Sequence, residues 1–422
     1  MELKNKKLLV LAGKPIGSCE IVDYAKSKEV YTIVTDYLKK SQSAAKKICD
    51  EIWDISTADI EQLKERIIKE DVDGIYTGVH EFNIGKMIEL CRDLGLPCFC
   101  TLEQWEYLNN KRCFKNLCKK YDIPVTNEYQ LTDIVEDQLS NIEFPVIIKP
   151  VDGSGSRGFA VCYNKEELIN AYPKAKEFSA SGKVLVEKYM RYEYSAIINY
   201  TLLNGEIYFN GISDKQSKKV FNNGAPIMSV QFYPSLYEQE YLQNLDKKVK
   251  NMFKDFGLKN GVIWIEAFCD KGVFTFNEMG YRFGGSLTYL PVQYLYGTDQ
   301  LGIQIEYALK GKNEDCKEIK EQRITDETYC ILPVHVKPGI ISQVIGFEAL
   351  KKNAHVNRVV PVHFLGDKIE AWGSAQQVFA YLHITAKNRN DLESIITDIL
   401  NTLSIKDENG KEILFNLYRE GH

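Results

Sequence analysis

At 422 residues the chain is longer than a single hydrophobic core supports, so two or three domains are expected. Its composition is 44% hydrophobic and 26% charged with a net charge of −5, and basic residues are interspersed with acidic ones, so nothing points to a polyanion partner and no nucleic-acid partner is expected. The longest apolar runs are strand-sized and no secretory leader is visible; the 11 cysteines lack paired metal-ligand spacing, so a cytoplasmic protein with reduced thiols and no membrane contact is expected.

Residues 7–12 read as a strand, 13–17 as a turn, 19–28 as a helix and 30–35 as the next strand, ending at Asp36. This βαβ order predicts a parallel sheet with right-handed crossovers. Asp36 could meet a ribose, but a strand-end cap suits it better. Residues 51–54, 60–70 and 74–78 continue the alternation. Thr77 to Glu81 then falls where a strand gives way to a helix over 83–94, the edge at which open α/β sheets hold ligands. Glu81 either complements that helix N-terminus or contacts a substrate. Cys98-Phe99-Cys100 alternates like a core strand, and a helix carrying Lys111 is expected from Leu108 to Tyr121.

Residues 144–160 read F-P-V-I-I-K-P-V-D-G-S-G-S-R-G-F-A. A short apolar run delivers Lys149 at a strand end, and a loop of glycines and hydroxyls follows: Gly153, Ser154, Gly155, Ser156, Arg157, Gly158. Such a loop lets backbone N–H groups approach an anion. Because it joins two strands and opens no helix, it is neither a Walker loop nor a dinucleotide fingerprint. Further on, Val184-Leu185-Val186 runs into Glu187-Lys188-Tyr189-Met190, followed by Glu193. This is either a strand end with a charged turn or a nucleotide hinge, with backbone groups beside an apolar slot for a base and Glu187 or Glu193 for the ribose hydroxyls.

Residues 194–201 and 206–214 alternate like antiparallel strands around Asn204-Gly205, and 241–256 form an amphipathic helix. Residues 262–268 and 273–278 make a second hairpin around Asp270-Lys271-Gly272. It brings Glu266 and Glu278 together, and two facing carboxylates are disfavoured unless a cation lies between them. Mg²⁺ fits that demand, with a nucleotide triphosphate completing its oxygen shell. Asn277, next to Glu278, should point to the opposite face of the strand. Beyond a charged stretch over 310–326, strands are expected at 327–336, 357–365 and 377–385 and a helix at 390–404. His335, His363 and His383 on these strands read as core residues.

Glu278-Met279-Gly280-Tyr281-Arg282-Phe283-Gly284-Gly285 resembles the ATP-grasp signature Glu-x-Asn-x-Arg-x-Gly-Gly, with Gly280 in place of the ligating Asn. The order Lys111, Lys149 with its loop, Glu187 to Met190, Glu266, Glu278 and Arg282 follows that superfamily over about half the chain. It looks most like the carboxylate-amine ligase branch, among relatives of carbamoyl phosphate synthase, L-amino acid ligases and biotin carboxylase, with a single grasp module.

The resemblance implies a fold of mixed α/β and α+β class. A parallel α/β domain (1–107) precedes an ATP-grasp domain (108–310) with a lid subdomain at about 122–190. A linker (311–326) and a small α+β closing domain (327–419) follow, with 420–422 read as a tag remnant. It also implies an ATP-dependent ligase that makes an acylphosphate and joins it to an amine, releasing ADP and phosphate. Lys111 and Lys149 would hold the phosphates, with Ser154, Gly155, Ser156 and Gly158 above them. Glu187, Lys188, Tyr189, Met190, Glu193 and Phe268 would hold the nucleoside, and Glu266 and Glu278 Mg²⁺ or Mn²⁺. Arg282 and Lys149 are the expected catalytic groups. Partners are small carboxylates and amines, and a homodimer is the default assembly. Rival readings are a nucleotide sensor without ligase chemistry, suggested by Gly280, and a biotin carboxylase acting on a separate carrier.

Overall fold

Leu8 to Leu11 are fully buried, as expected of a strand covered on both faces by crossover helices. In a computed structural model describing residues 3–13, 17–131, 139–152, 158–221, 226–313, 319–370 and 372–421, this strand, β1 (Lys7–Leu11), pairs in parallel with β2 (Tyr31–Thr35) and β4 (Gly74–Thr77). With β3 (Glu51–Trp53) the order is β3-β2-β1-β4. The helix after β4, Glu81–Leu94, begins at Glu81 itself, two residues before the expected start.

The helix expected from Leu108 is two helices, Leu102–Asn109 and Lys111–Lys120. Asn110 separates them: its side chain accepts from the N–H groups of Arg112 and Cys113, so it caps the second helix and places Lys111 in its first turn. Residues 98–100 form no strand.

A small antiparallel sheet follows, β5 (Glu128–Tyr129), β6 (Val146–Pro150), β7 (Ala160–Cys162) and β8 (Val184–Lys188), in the order β5-β8-β6-β7. The β6–β7 pairing shows that the glycine loop does join two strands. With the Lys165–Glu177 helix this sheet closes its own apolar core around Val146, Ile148, Leu168 and Val186.

The largest sheet is nine-stranded. Its path runs β13 (Val273–Gly280), β12 (Gly261–Asp270), β9 (Tyr194–Leu203), β10 (Glu206–Lys218), β11 (Ile227–Tyr233), β14 (Thr328–Val336), β18 (Val378–Ala386), β16 (Val356–Pro361), with β20 (Leu414–Phe415) on β14. The sheet therefore continues across the charged stretch, through β11, a strand not expected from the sequence. The C-terminal part has a separate core, including Leu332, Leu382 and Ile396, and adds a three-stranded sheet of β15 (Gly339–Ile345), β17 (Lys368–Ile369) and β19 (Ser404–Asp407). His335 and His383 are buried on strands as expected, whereas His363 lies beyond the end of β16, beside Asp367. Among the described residues no helix is long and apolar enough to cross a membrane.

Candidate active site

The β12–β13 hairpin sets the floor. Glu266 and Glu278 are direct cross-strand partners, as are Trp264 and Gly280. Between Glu266 and Ala267 the register shifts: Ala267 pairs with Phe276, leaving Asn277 as the extra residue of a β-bulge. The bulge breaks the alternation that sent Asn277 to the opposite face. Both Asn277 and Glu278 line one cavity of about 350 Å³, within the range of small-molecule sites.

Three ammonium groups meet these oxygens. Lys149, at the end of β6, donates to Asn277 Oδ1 at 2.8 Å. Lys111 Nζ lies 3.4 Å from Glu278 Oε2. Lys215, on β10, is paired with Glu266 Oε1. Burial by itself would raise the Glu278 carboxyl, but the charges of Lys111, Lys149 and Lys215 outweigh it and hold that carboxyl below its usual range. Burial pushes Lys149 down to about 8, with Lys111 acting in the same sense and Glu278 opposing.

Glu187, expected to face a ribose, is completely buried. Its carboxylate is bracketed by Lys149 at 2.7 Å and Lys115, and it accepts from Thr126 Oγ1 at 2.7 Å. The inward register of β8 thus turns the group away from the cavity to hold Lys149. Glu193 is exposed, near the Tyr237 hydroxyl at 3.4 Å, and is not part of the cavity wall. Lys188, Tyr189, Met190 and Phe268 do line the cavity, alongside Ile147 and Val161. The Phe268 ring stacks on Tyr192 with centroids 4.4 Å apart, giving the wall a flat aromatic face. Lys188 sends its ammonium to Glu143, 2.8 Å away. Ser154, Gly155 and Ser156 lie outside the described residues. Gly158 has φ 71°, and a Cβ there would come within 3.0 Å of Phe178 and Pro150.

Arg282, four residues past Glu278, donates from Nη2 to Glu81 Oε1 at 2.6 Å and from Nη1 to the Phe283 carbonyl at 2.8 Å. Its guanidinium sits 5.2 Å from the centre of the Trp264 ring. Glu81 therefore both opens a helix and reaches the cavity, joining the parallel domain to the hairpin. Among the described residues no group of three or more His, Cys, Asp or Glu side chains is arranged to hold a metal ion alone. A hard cation fits between Glu266 and Glu278 only with oxygens brought by a ligand, which is how Mg²⁺ is bound together with phosphates.

Residues 142–289 match the family model of the ATP-grasp domain. Over that segment the chain is similar to the ATP-grasp domain. The formate-dependent phosphoribosylglycinamide formyltransferase of Histophilus somni is 22% identical over 286 residues, 66% of this chain and 70% of that protein. The carbamoyl phosphate synthase large chain of Agathobacter rectalis is 27% identical over 203 residues, 43% of this chain and only 19% of that protein. Among solved structures, the L-amino acid ligase from Bacillus licheniformis superimposes with a TM-score of 0.76 at 17% identity, covering 96% of this chain and 100% of that one. The biotin carboxylase domain dimer of Hydrogenobacter thermophilus 2-oxoglutarate carboxylase, in complex with MgADP, ADP and bicarbonate, gives 0.77 at 20% identity over 97% and 91%. At these identities the structural likeness establishes the fold.

Proposed function

We propose that this chain is an ATP-dependent ligase that activates a small carboxylate as an acylphosphate and joins it to an amine or similar nucleophile, releasing ADP and phosphate. The observation that carries the reading is the facing pair Glu266 and Glu278 in one cavity with Lys111, Lys149, Lys215 and Arg282. Phosphoryl transfer asks chiefly for positioning and charge neutralisation, and four fixed cations around two carboxylates supply it.

Lys111 and Lys149 hold the phosphates, and Tyr189, Met190 and Phe268 line the slot for the base. Glu266 and Glu278 would hold a Mg²⁺ ion, or Mn²⁺ in its place, and that ion would supply Lewis-acid neutralisation of the phosphate oxygens. A carboxylate oxygen of the substrate bonds to the γ-phosphorus as the bond to the ADP oxygen breaks. The nucleophile then bonds to the acyl carbon, the acyl carbon–oxygen bond breaks, phosphate leaves with the electron pair, and the nucleophile's proton passes to solvent. Arg282 neutralises the transferring phosphoryl group, and Glu81, which pairs with it, is an acid on the cavity wall that an incoming amine can also meet. Trp264, Tyr192 and Phe268 limit water around an intermediate that water would hydrolyse.

The test is release of ADP and phosphate from ATP and Mg²⁺ in the presence of pooled small carboxylic acids and amines. Release that depends on a carboxylate and amine pair supports the ligase. Tight ATP binding with no release under any pool supports a nucleotide sensor instead.

A further inference from the structure

We infer that this site takes one divalent cation, and that a second is excluded by the packing of Trp264 into the place of the missing side chain at Gly280. The inference rests on the ATP-ligase reading above, and it concerns a departure of this chain from the motif it otherwise follows. An oxygen-bearing side chain two positions after Glu278 would give a second cation a ligand. Gly280 stands there, and the structure shows why nothing larger fits.

Gly280 and Trp264 are direct partners across the hairpin. A Cβ built on Gly280 would lie 2.3 Å from the indole Nε1, 2.6 Å from Cε2 and 2.9 Å from Cζ2. Those separations are shorter than any real carbon contact, so a side chain at 280 and the indole cannot coexist in this arrangement. The group filling the space cannot act as a ligand: the indole nitrogen is a donor only. It is buried with no hydrogen-bond acceptor, so it presents the positive end of its N–H dipole. The face of the same ring carries the Arg282 guanidinium, which brings a full positive charge to the position.

Two of the oxygens facing the site are already paired with ammonium groups. The β-bulge turns Asn277 into the cavity, but its Oδ1 accepts from Lys149. Glu266 is paired with Lys215. A first cation would be held by Glu266 and Glu278, bringing two charges to two carboxylates. A second would face Lys149, Lys215 and Arg282 at close range, where like charges repel strongly in a partly desolvated cavity. Those three side chains supply the charge that a second ion would have contributed.

The experiment counts Mn²⁺ ions bound per chain by electron spin resonance, at saturating concentrations of the non-hydrolysable β,γ-imido analogue of ATP. The expected count is one for the native chain and for Gly280→Asn. It is two for the double variant Trp264→Ala with Gly280→Asn, in which the indole is gone and an amide oxygen is restored. Two ions on the native chain overturn the inference while leaving the ligase reading intact. A count of one in a folded double variant overturns the role given to Trp264. No analogue-dependent Mn²⁺ binding at all removes the ATP reading itself, and this inference with it. The native count needs no substitution, so a double variant that fails to fold does not prevent the decision.

Discussion

Glu266 and Glu278 face one another across the β12–β13 hairpin, and each is met by an ammonium from a different part of the chain, Lys215 from β10 and Lys111 from the capped helix at Asn110. Two like charges directly opposed in a sheet are destabilising unless cations join them. Glu266→Gln and Glu278→Gln should therefore each lower kcat/KM for ATP by on the order of 10²-fold or more, the size of effect seen when one group stabilising the transferring charge is removed. Their urea midpoints should change little. Phosphate release and denaturant unfolding measured on the same preparations separate the two effects.

Glu187 carries a different expectation, because it is completely buried and shared between Lys115 and Lys149. Glu187→Gln leaves two buried ammonium groups without their counter-charge, and removing one partner of a buried ion pair costs about 3–5 kcal/mol. The double variant Lys115→Met with Glu187→Gln should regain part of that loss. Glu193→Ala, at an exposed position, should stay within about 0.5 kcal/mol of the native chain. Urea unfolding distinguishes these outcomes.

The pH dependence of stability has a defined sign. His335 and His383 are buried, and burial depresses their imidazolium forms to about 4 and about 3, from an ordinary 6.5. Below pH 6.5 the unfolded chain takes up protons that the folded chain refuses, so stability is complete above that value and falls with pH towards 4. At its steepest each histidine contributes about 1.4 kcal/mol per pH unit. His383→Gln should flatten the slope between pH 6 and 4 in thermal melts, and an unchanged slope would count against the assignment.

Lys149 gives the nucleotide site its own pH response. With its ammonium pushed down to about 8 by burial, the free protein loses that charge as pH rises through 8. ATP affinity should weaken from pH 7 to 9 more than the titration of ATP accounts for. Lys149→Met should weaken binding at pH 7 and remove this extra dependence, measured by isothermal titration calorimetry.

Arg282 uses both ends of its fork, on Glu81 and on the Phe283 carbonyl, while its plane rests against Trp264. Arg282→Lys keeps the charge but not the geometry, so kcat should fall by roughly 10-fold or more with the fold retained. Glu81→Gln should act mainly on the KM of the amine. Steady-state kinetics with each substrate varied in turn checks both.

The hairpin acids were legible in the sequence because strand alternation and the Asp270-Lys271-Gly272 turn fix their pairing locally. Lys149 was legible because a strand end followed by glycines leaves few other readings. Glu187 ends an apolar strand run as expected, but its burial against Lys115, a helix residue far away in sequence, has no local marker. Asn277 was misdirected by a bulge, which adds one residue and has no marker in local composition. Lys215 and Trp264 reach the cavity from strands whose neighbours are set only by the order of the nine-stranded sheet. Asn110, after a second asparagine, carries a helix-cap signal that marks the break between the two helices.

The most direct measurement follows oxygen. The protein is given ATP, Mg²⁺, an amine pool and a pool of carboxylic acids whose carboxylates carry ¹⁸O, and the released phosphate is analysed by mass. An acylphosphate route predicts ADP as the nucleotide product and one ¹⁸O in each substrate-dependent phosphate, because the carboxylate oxygen that attacked the γ-phosphorus leaves with it. Unlabelled phosphate, or AMP as the product, contradicts the account.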